Sequence, residues 1–200
     1  MRVLSGTISI LIPCTILAGC AAMGVVETND PAVKIKDAYA LFDQLLRPLP
    51  AERLIREAIT IYQSKSDDLG LAEAYSAYGF FFRSAAIEKW HKTYESAGFI
   101  ETGATFANRY DKSIECFEKS AAIFEKHQKF AELTNIYLNM GFTYEFANQP
   151  EKACEQYKKS AISHQRQIKD HPDARVTLPQ GFSSYDAYVA AILERLKCAK

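Results

Sequence analysis

Three times along the chain a small side chain is followed four residues on by an apolar or aromatic one, and three further on by a second small one. The trios are Ala51, Ile55 and Ala58; Ser113, Phe117 and Ser120; Ala153, Tyr157 and Ser160. Spacings of four and three put each trio on one face of an α-helix. The self-similarity extends further at an offset of 62. Leu71 to Tyr75 falls on Leu133 to Tyr137, and Tyr78 to Phe82 (Tyr-Gly-Phe-Phe-Phe) falls on Met140 to Tyr144 (Met-Gly-Phe-Thr-Tyr). The third trio follows the second by 40 residues. Such recurrence marks stacked repeats, in which one unit cannot bury its own apolar face and must pile against the next.

Tyr137, Met140, Gly141, Tyr144, Ala153, Tyr157 and Ser160 stand at the spacing of the aromatic, leucine, glycine, tyrosine, alanine, aromatic and alanine signature of the tetratricopeptide repeat, which the chain resembles there. The preceding copy carries Tyr75, Tyr78, Gly79 and Phe82 on its first helix and Ser113, Phe117 and Ser120 on its second. The first copy has Ile35, Ala38 and Phe42 in place, with Tyr39 where glycine belongs; terminal repeats are commonly atypical. The resemblance implies an all-α fold over residues 31–200. It would be a tetratricopeptide-like α-α superhelix of about three helical hairpins, one elongated by an insertion, plus a C-terminal capping helix. Asp30-Pro31 supplies an N-cap and a first-turn proline, and Arg47-Pro48-Leu49-Pro50 a turn. His171-Pro172-Asp173 and Leu178-Pro179-Gln180-Gly181 break the pattern. Beyond them Ser183 to Asp186 has a capping-box layout, ahead of a stripe of Tyr185, Val189, Ile192, Leu193 and Leu196 on a final helix of about four turns.

The offset of 62 exceeds the 40-residue pitch by 22, and the excess lies between Arg83 and Tyr110. Divided over two antiparallel helices it adds about three turns to each. The expectation is one long hairpin of helices 72–96 and 103–127 with its tip at 97–103, zipped by Ile87, Trp90 and Tyr94 against Phe106 and Tyr110. An irregular loop is the alternative.

Residues 1–19 read as a secretory signal: Arg2, then an apolar run too short to span a membrane, then small residues. Leu17-Ala18-Gly19-Cys20 resembles the bacterial lipobox, in which cleavage precedes a cysteine carrying a diacylglycerol thioether. That resemblance implies lipidation at Cys20, a linker over 20–30, and, from Ala21 rather than aspartate, an outer-membrane protein facing the periplasm. Of the five cysteines, Cys116, Cys154 and Cys198 remain in the domain. Three small buried side chains is the favoured reading, with one disulfide and a spare thiol as the alternative.

Chemistry-bearing patterns are missing: there is no GxSxG, no HExxH and no Gly-rich phosphate loop. His91, His127, His164 and His171 are scattered, and His127 and His164 read as solvated residues near helix ends. Carboxylates sit beside basic residues, as at Glu115, Glu118 and Lys119 and at Glu151, Lys152 and Glu155, where pairing along a helix explains them. The expectation is a chain that is not an enzyme and uses no cofactor and no metal. With 24 basic and 24 acidic residues, no nucleic-acid partner is indicated.

By family resemblance a partner protein or peptide lies in a concave groove, with the 84–106 insertion as a second place. The groove candidates are Glu73, Ser76, Phe80 and Arg83 in one repeat and Asn135, Leu138, Phe142, Glu145 and Phe146 in the next. Contact of the three phenylalanines with the N-terminal helix or the final cap is the competing reading. The family's lysine and asparagine clamp for a C-terminal carboxylate is not reproduced, since Asn139 matches one position and Ala77 stands at its counterpart. The expected function is a membrane-anchored adaptor of the periplasm. An immunity lipoprotein blocking a delivered toxin is the alternative.

Overall fold

A computed structural model describes residues 27–174 and 176–198. The signal segment and Cys20 lie outside the described residues. Among those residues the structure is all-helical, without strands, and no helix is long and apolar enough to cross a membrane. Helix α1 (Pro31–Tyr39) runs into a π-helical turn (Ala40–Gln44), followed by α2 (Pro48–Ser64) and α3 (Asp68–Phe82). Two short helices, α4 (Ala85–Lys89) and α5 (His91–Ala97), precede α6 (Arg109–Lys126), α7 (Phe130–Phe146), α8 (Pro150–Asp170) and α9 (Tyr185–Arg195).

The expected caps form at both ends of the domain. Asp30 accepts from the Ala32 amide at 2.9 Å with Pro31 in the first turn. Ser184, one residue later than Ser183, caps α9 through the Ala187 amide at 3.1 Å, and α9 is 11 residues long, about three turns rather than four.

Helices pack in antiparallel pairs, α1 on α2, α3 on α6 and α7 on α8, and each pair rests on the next through α2 with α3, α6 with α7 and α8 with α9. All nine residues of the three trios are fully buried. Gly79 and Gly141 explain how the pairs close up. A methyl group at Gly79 would lie 2.7 Å from the Phe117 ring, and one at Gly141 2.4 Å from the Tyr157 ring. Each glycine is thus a seat for the aromatic of the opposing helix. A serine completes each contact: Ser113 Oγ donates to the Gly79 carbonyl at 2.7 Å, and Ser160 Oγ to the Thr134 carbonyl at 2.6 Å. In the first pair Tyr39 replaces the glycine. There the helix widens into the π turn one residue later, and the Tyr39 ring packs on Phe42 and Phe80, with centroids 5.1 and 6.1 Å away.

The joints repeat as well. Ser66, Gln128 and Asn148 all take left-handed backbone conformations, φ 52°, 53° and 56°, each directly after a helix. In each case the next amide closes back five residues, from Asp67 to Tyr62, Lys129 to Phe124 and Gln149 to Tyr144, at 2.8 to 3.0 Å. This closure satisfies end-of-helix carbonyls and reverses the chain the same way each time.

The long hairpin does not form. Helix α3 stops at Phe82, and the inserted segment folds back onto the molecule as α4, α5 and an irregular connection to Arg109. Ile87 and Tyr94 are fully buried in the core around α1, α2 and α3, and Phe106 is partly buried against the same core, so these side chains join the body of the domain instead of zipping a projecting hairpin. Tyr94 stacks on Phe99 at 4.2 Å, and Phe99 meets the rings of Phe81 and Phe82. Trp90 Nε1 donates to the Leu46 carbonyl at 2.9 Å. The buried Glu52 carboxylate on α2 accepts from Tyr78 Oη at 2.9 Å and from the Ile100 amide at 2.8 Å, holding the connection down. The physical reason is burial. A projecting hairpin would leave these aromatics only one another, whereas folding back gives them the edge of an existing core.

The cysteines also depart from the favoured expectation. Cys154 and Cys198 form a disulfide that ties the segment just after α9 to the start of α8, and among the described residues Cys116 is the free thiol, buried, with its pKa pushed up to about 12 by desolvation. His164 is buried against the Tyr185 ring at 4.5 Å rather than solvated, while His127 faces Asp68 at 3.2 Å.

Three outcomes follow from this packing. Gly141→Ala should destabilise the protein by about 1–3 kcal/mol in urea melts despite alanine's better helix propensity, because the buried Tyr157 ring has no room to move. Cys198→Ser should cost about 2–4 kcal/mol, measured the same way, for opening a loop of 44 residues' separation. Arg195 donates to Glu145 at 2.7 and 2.9 Å and holds its carboxyl below the ordinary 4.5. A depressed carboxylate stabilises the fold above its unfolded value and loses that contribution as pH falls through the folded value. Amide exchange in α9 should therefore accelerate relative to α3 as the pH is lowered through and below 4.5, and Glu145→Gln should flatten that dependence.

Candidate functional site

The residues expected to face a partner fall on α3 and α7, and the structure sorts them into three groups. Ser76 is buried against Tyr39, whose hydroxyl it meets, so α1 covers that part of α3. Glu73 is exposed. Phe80 is half-buried, joins the cores on either side of it, and meets Phe117 edge-on at 5.1 Å.

The C-terminal segment takes a second group. Glu145 holds Arg195 and also accepts from Tyr157 Oη at 2.5 Å. Phe142 packs edge-on against Tyr157 at 5.5 Å. Asn135 and Leu138 line an open cavity of about 390 Å³ between α7 and α9, together with Val176, Pro179, Tyr185 and Tyr188.

Arg83 and Phe146 form the third group, where the ends of α3 and α7 meet. Arg83 is the C-cap of α3, and its guanidinium donates to Asn139 Oδ1 on α7. The same group lies 5.1 Å from the Phe80 ring centroid, 5.9 Å from Phe117 and 5.8 Å from Phe146. Its Nε is buried without a partner among the described residues. Desolvation lowers its pKa to about 10, against a small opposing effect of the Tyr157, Tyr39 and Tyr110 hydroxyls, so it stays cationic at neutral pH. Phe146 is 56 % exposed and touches Tyr110 at 6.0 Å.

The structure thus brings Phe80, Arg83 and Phe146 together, sets Phe142 against Tyr157 on α8, and places Glu145, Leu138 and Asn135 beside the C-terminal segment that carries α9. Sequence reasoning passed over Asn139 as an Arg83 partner and Tyr110 as a neighbour of Phe146. No local signal marks either, because the Arg83 bond spans 56 residues and arises only when consecutive helix pairs dock. Among the described residues no group of three or more His, Cys, Asp or Glu side chains could hold a metal ion. No family profile, no curated protein and no solved structure matches this chain.

Proposed function

We propose that this chain is a lipid-anchored, non-catalytic adaptor whose tetratricopeptide-like stack holds another protein beside the bacterial outer membrane, facing the periplasm. The observation that carries the reading is the repeated seat of an opposing aromatic on glycine, Phe117 on Gly79 and Tyr157 on Gly141, joined by the same left-handed reversal at Ser66, Gln128 and Asn148. Repeated contacts of this kind build a quasi-one-dimensional scaffold whose purpose is surface rather than chemistry. The Cys154–Cys198 disulfide supports an oxidising compartment beyond the cytosol. The lipobox-like Leu17 to Cys20 supplies the anchor in this reading, and several acyl chains on one cysteine hold a protein to a bilayer where one chain alone is marginal.

The alternative, an immunity lipoprotein that blocks a delivered toxin, rests on the small lipidated helical form of the chain and on a hairpin able to plug an active site. With the insertion folded onto α3 the second support is gone, and the adaptor stays the leading reading. Phe146 is also a better probe of the binding face than Phe142, whose ring is committed to Tyr157.

Two measurements test the proposal. The wild-type protein should fractionate with membranes and Cys20→Ser should move to the soluble fraction; an unchanged distribution would remove the anchor. Affinity capture from solubilised envelopes should recover one defined protein, lost on Phe146→Asp while the melting curve stays unchanged. Capture of nothing, or of an identical set by the variant, would contradict the adaptor role.

A further inference from the structure

Arg83 is the one guanidinium described here that is both enclosed by aromatic rings and without an acid. Arg56 pairs with Glu101, Arg109 with Glu88 and Arg195 with Glu145. Arg83 has only the neutral Asn139 amide oxygen, and the ionisable groups that bear on it are tyrosine hydroxyls, not carboxylates. Burying a cation without a counter-charge is unfavourable. The C-terminal dipole of α3, about half a charge, offsets part of this. It leaves most of a five-donor fork unfilled. Beside the fork stands Phe146, an aromatic that the fold leaves exposed, and the Phe80 ring lies against the same guanidinium.

We propose that the junction of α3 and α7 receives an acidic side chain of the partner, flanked by apolar residues. The carboxylate bonds the Arg83 guanidinium and the apolar neighbours lie on Phe146 and Phe80. This rests on the adaptor reading and gives it a chemistry. A carboxylate suits the planar fork, which can offer it two parallel N–H donors. Contacts with both rings and the bond to Asn139 hold the guanidinium in place, so little rotamer freedom is lost when the anion arrives. An internal acidic side chain fits better than a chain terminus. Both helices present their C-terminal ends here, so the nearby main chain offers carbonyls and no cluster of amides to cradle a terminal carboxylate.

The probes are three blocked or free tetrapeptides: acetyl-Leu-Phe-Glu-Leu-amide, its glutamine counterpart, and acetyl-Leu-Phe-Gln-Leu with a free C-terminal acid. Each is titrated into the full chain carrying ¹⁵N-arginine, with the Arg83 Nε–Hε resonance followed by NMR. The glutamate peptide should shift that resonance saturably and bind roughly tenfold more tightly than the other two, the scale of one charge-assisted contact. Arg83→Gln should abolish the preference, and Arg83→Lys, which keeps the charge and guards against misfolding, should retain part of it. Equal binding of all three peptides, no shift of Arg83, or a preference that survives Arg83→Gln would overturn the assignment. Tightest binding by the free acid would replace it with recognition of a chain terminus. An envelope partner captured equally by wild type and Arg83→Gln would leave the adaptor reading standing while removing this one.

Discussion

Close approach of a helix backbone to an aromatic ring, at Gly79 under Phe117 and at Gly141 under Tyr157, is the contact on which the remainder of the fold depends. It sets the spacing within the α3/α6 and α7/α8 pairs, and that spacing brings the serine hydroxyls of Ser113 and Ser160 within reach of carbonyls across the pair. The small residues flanking each ring, fully buried on every helix concerned, are the same constraint seen from the opposite helix. A wider spacing would leave those rings partly hydrated and those hydroxyls unpaired, both unfavourable in a core. The joints add direction to distance. Non-glycine residues in the left-handed region are strained by about 1–2 kcal/mol each, yet Ser66, Gln128 and Asn148 all adopt it and all close the same hydrogen bond. Identical turns after similar helices give identical reversals.

The two ends of the stack solve a different problem, the exposure of an unpaired apolar face. At the front, the Glu52 carboxylate, Trp90 and the Tyr94–Phe99 stack draw the inserted segment across α2 and α3. At the back, α9 is held by three devices of different chemistry: the disulfide to α8, the Arg195–Glu145 ion pair, and Tyr185, whose hydroxyl lies 2.6 Å from Ser160 Oγ while its ring meets His164. Because Arg195 at the end of α9 takes Glu145 and the C-terminal segment flanks Leu138, the part of the α3/α7 face left away from α9 is the junction around Arg83 and Phe146. Covering the ends therefore also decides which part of that face stays open.

The helices and the residues facing between them were legible because they obey a short-range rule. Positions four and three apart fall on one face, and a repeat displays the rule three times. The N-cap at Asp30 and the breaks at 47–50 and 171–181 are local chemistry and were equally readable. The insertion was not, because Ile87 and Tyr94 have helical spacing whichever surface they meet, and only the energetics of a projecting hairpin against an available core edge decides. The pairing of Cys154 with Cys198 depends on where α9 docks, 44 residues away, which spacing does not encode. Of the site, Phe80, Arg83 and Phe146 were readable from their register between core positions. The loss of Ser76 beneath Tyr39 and of Glu145 to Arg195 comes from neighbours outside the repeat.

The most direct test of the central contact is a double-mutant cycle between Gly141 and Tyr157, read by equilibrium unfolding. If backbone and ring are in direct apposition, the destabilisation caused by alanine at 141 should shrink by at least about 1 kcal/mol when Tyr157 is already leucine, the coupling expected of touching residues. An alanine penalty that is the same in both backgrounds would mean the ring does not rest on the glycine, and the packing described here would be wrong at its foundation.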